Sequence, residues 1–302
     1  MVWGILAVLS ALLLGLYDFL KKVSLKENAV LPVLLISSTA GGVIFLPFIL
    51  VSTWFPQWLA GSVMYVPPQP LEAHLMFILK TVIVGSSWVL NYFAMKHLPL
   101  TIAGPIRSSG PLWTLAGALT FFGERLNPTQ WLGVAITLIF FYIFSLSGKK
   151  EGISFRTNKW VLMLTCGTVI GAISSLFDKY LVHHYDKMAM QAWFNIYMVP
   201  LMVLVLVIFW LPVRHKTAPF KWRWSIPLIG TCLAFADFFY FWALSDPDAL
   251  VAIVSTLRRA SVIVSFSLGA LLFREKNIRQ KAWIVLGIIV GIIMVIYGGT
   301  LK

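Results

Sequence analysis

Apolar runs of membrane-spanning length alternate with short polar breaks along the whole chain. A helix crossing a hydrocarbon core needs about 17–25 predominantly apolar residues. The pattern predicts ten such spans: Trp3–Leu20, Val30–Val51, His74–Met95, Thr101–Phe122, Thr129–Leu146, Trp160–Phe177, Ala189–Leu211, Ser225–Leu244, Leu250–Phe273 and Lys281–Gly299. Most connections are short, so neighbouring spans are expected to run antiparallel. The exception is Ser52–Ala73, which carries Trp54, Trp58, Tyr65, Pro67, Pro68 and Pro70 but no Lys or Arg. Its composition predicts a segment lying along the membrane interface.

The ninth span departs from the apolar pattern at Arg258 and Arg259. A charge at the centre of a membrane helix costs ~2.5–3.5 kcal/mol on insertion scales, so it marks a functional position by default. At helical spacing Arg258 shares a face with Ser255, Ser261, Ser265 and Gly269, while Arg259 points about a quarter turn away. Subtracting 151 places Arg107 on Arg258, Gly104 on Ser255, Gly110 on Ser261, Thr114 on Ser265 and Ala118 on Gly269. One charged, small-residue face is therefore written into both halves. Similarity also links residues 91–99, NYFAMKHLP, with residues 240–248, YFWALSDPD. An odd-numbered repeat inserts its second copy upside down. The expected fold is an all-α membrane protein of ten transmembrane helices in two inverted five-helix repeats. Residues 1–148 form the first, 149–159 a basic connecting loop and 160–302 the second.

Composition agrees, with 59% hydrophobic residues, 12% charged and a mean hydropathy of +0.87. The net charge of +13 would suggest nucleic acid in a soluble protein. Here the basic residues sit between apolar runs, so lipid headgroups and topology account for them and no nucleic-acid partner is expected. Of the 24 Lys and Arg, sixteen fall on connections following odd-numbered spans; only Arg125, Lys179, Lys187 and Lys302 fall on the other side. That bias predicts both termini outside the cytoplasm; the expected location is a bacterial inner (plasma) membrane. No cleavable leader is expected, since basic residues follow the first apolar run instead of preceding it. Cys166 and Cys232 lie in apolar runs and imply no disulfide framework.

Arg107 and Arg258 each lie about eight residues into their spans, or ~12 Å, close to the midplane. Both are expected to hold an anionic group, with Arg259 mattering less. Pro105 and Pro111, with Gly104 and Gly110, weaken backbone continuity in the fourth span and free carbonyls for a ligand. Asp237 reads as the only acid deep inside a span, a counter-ion to an arginine or a proton carrier. Asn91 shares a helix face with Lys80 and Ser87, Lys80 being readable as a snorkelling side chain, and Asn195 sits in the seventh span. Trp88, Trp113, Trp193 and Trp242, with Tyr92, Tyr197 and Tyr240, are expected to wall a cavity; at least two of the tryptophans should border it. The alternative for each aromatic is packing within the bundle. His183 and His184 are adjacent, so they share no helix face; no metal site and no cofactor are expected.

The motif Pro111-Leu112-Trp113-Thr114, then Gly123-Glu124-Arg125-Leu126 and Gln130-Trp131-Leu132-Gly133, resembles the signature of the EamA family in the drug/metabolite transporter superfamily. The second copy is degenerate, with Arg274-Glu275-Lys276 and Gly287. The resemblance implies a ten-span fold and export or import of small metabolites. Relatives usually carry basic residues between spans two and three and keep both termini cytoplasmic; this chain has none there. The three arginines are not part of the family pattern, so they speak to this protein's own solute. The expected function is secondary transport of a small polar metabolite, carboxylate- or phosphate-bearing, by alternating access, in a monomer or weak homodimer among membrane lipids. Alternatives are a lipid-head or lipid-linked sugar flippase, an intramembrane enzyme, and a structural or sensory membrane protein. The enzyme lacks a nucleophile–base pair, because Ser86-Ser87 has no histidine partner in the apolar runs.

Overall fold

The computed structural model describes residues 2–98, 106, 107, 109–146, 158–261, 264 and 278–298. Among these the chain is helical without strands. The helices are α1 (Val2–Leu25), α2 (Val30–Trp54), the short α3 (Pro56–Leu59), α4 (Leu71–His97), α5 (Gly110–Phe121), α6 (Pro128–Leu146), α7 (Lys159–His184), α8 (Lys187–Phe209), α9 (Ser225–Leu244), α10 (Val251–Arg258) and α11 (Ile278–Gly298). Six regions are long and apolar enough to cross a membrane: α1, α2, Leu71–Ala94 of α4, α7, α8 and α9. The fourth and ninth expected spans lie partly outside the described residues, so α5 and α10 are the described parts of them. Pro105, Gly104, Ser265 and Gly269 fall outside as well.

Helix ends follow local chemistry. The Asn158 side chain accepts from Trp160 N–H and starts α7, while Asp186 accepts from Ala189 N–H and starts α8. Nothing breaks the period between Phe177 and His184, so α7 runs seven residues past the expected Phe177. That extension corrects the reading of Asp237 as the only acid deep in a span: Asp178 is buried within α7, and Asp18 lies within α1.

Packing joins α1 to α9, α4 to α7, α2 to α8, α6 to α11 and α5 to α10; α5 also meets α7, and α1 meets α10. The α6–α11 pair is antiparallel, and glycine lets the backbones approach. A Cβ on Gly133 would lie 2.7 Å from the Gly291 carbonyl, and one on Gly291 2.3 Å from Thr137 Oγ1. Large apolar side chains such as Val43, Leu46, Leu79, Leu204 and Ile208 point outward, as expected where lipid replaces water. Trp54 and Trp58 stand exposed in the connection after α2, and Ser52 Oγ accepts from Val66 N–H to tie it back.

Candidate functional site

A polar cavity of about 260 Å3 opens among α1, α4, α7, α8, α9 and the two arginine segments. Small residues on α7 make room for it. A Cβ on Gly167 would fall 2.7 Å from Asn91 Oδ1, and one on Gly171 3.3 Å from Ser87 Oγ. Arg107, Arg258, Arg259, Asn91, Trp88 and Asp237 all line this space, as do Lys21, Lys80 and Asp178. Positions far apart in sequence thus meet in one chamber. Among the described residues its five cations face Asp178 and Asp237, with Asp18 paired to Lys21 beside it, a formal excess of two positive charges (5 − 3).

The cations differ in how they are held. Arg258 Nη2 donates to Asp237 Oδ1 at 2.7 Å, and its guanidinium lies 4.0 Å from the Tyr240 ring centroid. Lys21 Nζ meets Asp18 Oδ1 at 2.8 Å and lies over the Tyr17 and Tyr92 rings, whose hydroxyls are 3.1 Å apart. Lys80 contacts Asp178 directly and lies 4.7 Å from both the Phe194 and Phe241 centroids. Only 1% exposed, Lys80 does not snorkel, which corrects that reading: the paired carboxylate and two ring faces hold the ammonium inside.

Arg107 and Arg259 are held differently. Arg107 is 3.7 Å from Asp18 Oδ1 with its side chain 35% exposed, so that pairing is long and wet. Arg259 makes no ion pair among the described residues, yet lines the cavity. Its Nη2 would lie 2.8 Å from a Cβ on Gly110, so the small residue at that position is what admits the guanidinium. The sequence ranked Arg258 above Arg259; in the structure Arg258 is committed to Asp237 and Tyr240.

Asn91 Nδ2 donates to Ser87 Oγ at 3.1 Å, and Ser87 donates to the Gly167 carbonyl at 2.7 Å. This fixes the amide and leaves Asn91 Oδ1 buried without a partner. Of the aromatic residues expected to border the cavity, Trp88 and Tyr92 do, the Trp88 ring lying edge-on to Phe194. The others pack elsewhere, so the expectation of at least two bordering tryptophans is not met. Trp113 is 48% exposed and donates to Ser109 Oγ; Trp193 stacks on Tyr197 and meets His74 edge-on; Trp242 stacks on Phe238. Tyr240 is buried beneath Arg258, outside the lining. The three tryptophans are held by partners away from the chamber, Ser109, His74 and Phe238, while the Tyr240 ring serves Arg258. Asn195 donates to the Gln191 carbonyl, away from this chamber.

The lining is drawn from the halves of α1 and α4 that lead to Lys26 and Lys96, on the more basic side. Toward the opposite end the bundle is closed by polar contacts. Glu124 accepts from Val251 N–H at 2.7 Å and Ala252 N–H at 3.3 Å, capping α10 from the other half of the chain. Lys179 donates to the carbonyls of Ala249 at 2.5 Å and Leu244 at 3.3 Å. Burial pushes the Glu124 carboxyl above its ordinary value, against the pull of those two N–H groups and of Lys179.

Comparison with solved structures finds the same fold. One, described only as the crystal structure of a protein, superposes with a TM-score of 0.72 over 99% of this chain and 97% of its own, at 17% identity. No curated protein matches the sequence. The model of the EamA-like transporter family matches residues 1–146, which contain α1 to α6, Arg107 and the Glu124 cap. Residues 1–146 of this multi-pass integral membrane protein, just under half of the chain, are thus similar to the EamA-like transporter family, which suggests a membrane transporter of small molecules.

Proposed function

We propose that the protein is a secondary transporter of a small carboxylate- or phosphate-bearing metabolite, held by Arg107 and Arg259 and moved by alternating access between two inverted five-helix halves. The observation that carries the reading is Arg259: a cation lining a polar chamber without an ion pair among the described residues. A guanidinium out of bulk water needs an acceptor, and leaving it without one costs several kcal/mol. Cavity water serves while the carrier is empty; a bidentate oxyanion serves better. Asp18 is the resident counter-ion that the substrate relieves at Arg107, and Asp237 is the fixed counter-ion of Arg258. Asn91, fixed by Ser87, lines the same chamber.

The pairing of helices supports the repeat. Exchanging α1, α2, α4, α5 and α6 with α7, α8, α9, α10 and α11 turns α1–α9 into α7–α4 and α5–α7 into α10–α1. The same exchange maps α2–α8, α5–α10 and α6–α11 onto themselves. A pseudo-two-fold relation has that property. By the positive-inside rule the chamber faces the cytoplasm in this conformation and the Glu124 and Lys179 contacts close the external side.

The test is thermal stabilisation of purified protein across a panel of small carboxylates and phosphate esters. At least one anion should stabilise the parent, and Arg259→Gln and Arg107→Gln should each lose that shift while still inserting into membranes. A stabilising anion whose effect survives both substitutions would move the site elsewhere.

A further inference from the structure

We propose that the buried Lys80–Asp178 pair is the proton-binding site of this carrier, with Asp178 as the group that takes and releases the proton. The proposal rests on the reading of the chain as a gradient-driven transporter, but its geometry stands apart from the arginine site. Lys80 is 1% exposed and Asp178 6%, in direct contact, and both border the cavity. Water in the chamber therefore reaches a carboxylate that is otherwise sealed in protein.

The surroundings provide for both protonation states. With Asp178 ionised, the Lys80 ammonium neutralises it. When a proton from cavity water forms an O–H bond at Asp178, the pair passes from net zero to net +1, and Lys80 keeps its own proton. The ammonium then still lies over the Phe194 and Phe241 rings, each 4.7 Å away. Cation–π contacts of this kind stabilise a desolvated cation. The Tyr240 hydroxyl is buried without a geometric hydrogen-bond partner, with Asp178 and Ser175 as polar neighbours. It can donate to a carboxylate or accept from a carboxylic acid, so it suits Asp178 in either form.

Groups that face Asp178 come from several helices. Lys80 comes from α4, Asp237 and Tyr240 from α9, and Arg258 from α10. The Phe194 ring of α8 covers Lys80, and α5 meets α7 through Gly110 and Gly117 against Thr168 and Leu176. Asp237 is thereby the less suited proton carrier, since it is the partner that keeps Arg258 neutralised.

The repeat adds an independent reason. Leu16-Tyr17-Asp18 in α1 is echoed by Leu176-Phe177-Asp178 in α7, which occupies the equivalent place in the second half. Tyr92 and Phe241 are echoed in the same way, as are Arg107 and Arg258. Each half thus brings an aspartate, a ring beneath a lysine, and an arginine to the chamber. One cluster is wet, with the Asp18 side chain 25% exposed; its counterpart around Asp178 is sealed. In a carrier whose halves exchange environments, the sealed acid is the one that holds a proton through the transition. An anion at Arg107 and Arg259 shares the chamber with Asp178 and favours the +1 state of the pair, so anion and proton move together; by linkage the proton favours the anion equally.

Infrared difference spectroscopy of the purified, substrate-free protein between acidic and alkaline buffer tests this directly, and a failed substrate assignment leaves the result standing. The expected result is a protonated-carboxyl band that titrates in the parent, disappears in Asp178→Asn and persists in Asp237→Asn. Because Asp178→Asn leaves Lys80 unpaired, the neutral pair Lys80→Gln with Asp178→Asn is measured alongside and should also lack the band. Tyr240→Phe should keep the band but shift its frequency. A parent without a titrating carboxyl band, or a band unchanged when Asp178 is replaced, overturns the proposal.

Discussion

At the scale of single residues, aromatic rings and carboxylates together hold three of the chamber's cations inside the bundle. Lys21, Lys80 and Arg258 each have a carboxylate and at least one ring face, and they stay charged inside an apolar bundle for that reason. Tyr240 gives the sharpest check, because its ring supports Arg258 while its hydroxyl has no hydrogen-bond partner. Tyr240→Phe should change stability by no more than ~1 kcal/mol, the net worth of a single hydrogen bond at most. Tyr240→Ala should cost roughly 3–5 kcal/mol through the cavity left behind, and more where Arg258 loses its support. Melting of the two variants in detergent separates these outcomes, and equal losses in both would show that the hydroxyl is engaged. The arginines were legible in the sequence as charges in apolar runs, and Asp237 and Asn91 as polar breaks in them. Their ranking was not, because which guanidinium is already paired depends on contacts between helices far apart in the chain. Lys80 and Asp178 were missed as a pair for the same reason, since they are 98 residues apart and Asp178 falls just past the expected end of its span.

Elements were easier to read than their ends. Apolar period and breaks placed the helices, because in a membrane every backbone N–H and C=O must be satisfied within its own helix. The end of α7 was misplaced by seven residues, since Asp178 and Lys179 look like a polar terminus until Lys80 and the Leu244 and Ala249 carbonyls are seen to receive them. Glu124 was legible as part of a family motif, but its work as a cap for α10, 127 residues away, was not. That cap predicts a pH signature. Because the folded carboxyl takes up its proton more readily than an ordinary glutamate, its contribution to stability is complete below the unfolded value of 4.5 and declines as pH rises through the higher folded value. Melting of the parent should therefore show that decline, and Glu124→Gln, which mimics the protonated form, should remove it. Glu124→Ala leaves the α10 N–H groups uncapped and should lose about 0.5–2 kcal/mol at all pH values. A parent profile superposable on that of Glu124→Gln would contradict the assignment.

For the whole molecule, a chamber lined by cations, an end held by Glu124 and Lys179, and helix pairs that the proposed repeat would exchange belong together. Proteins that alternate between two faces need such a pairing, because the contacts that close one end have counterparts able to close the other. The most direct test is flux in proteoliposomes, using small radiolabelled carboxylates and phosphate esters with and without an imposed proton gradient. The account predicts saturable entry of at least one anion, accelerated when the gradient favours proton co-entry, reduced at least tenfold in Arg259→Gln, and still present in Trp113→Phe, where the altered ring lies outside the chamber. Uptake of the same anion at parental rates by both Arg259→Gln and Arg107→Gln, or no entry of any anion under either condition, would contradict it.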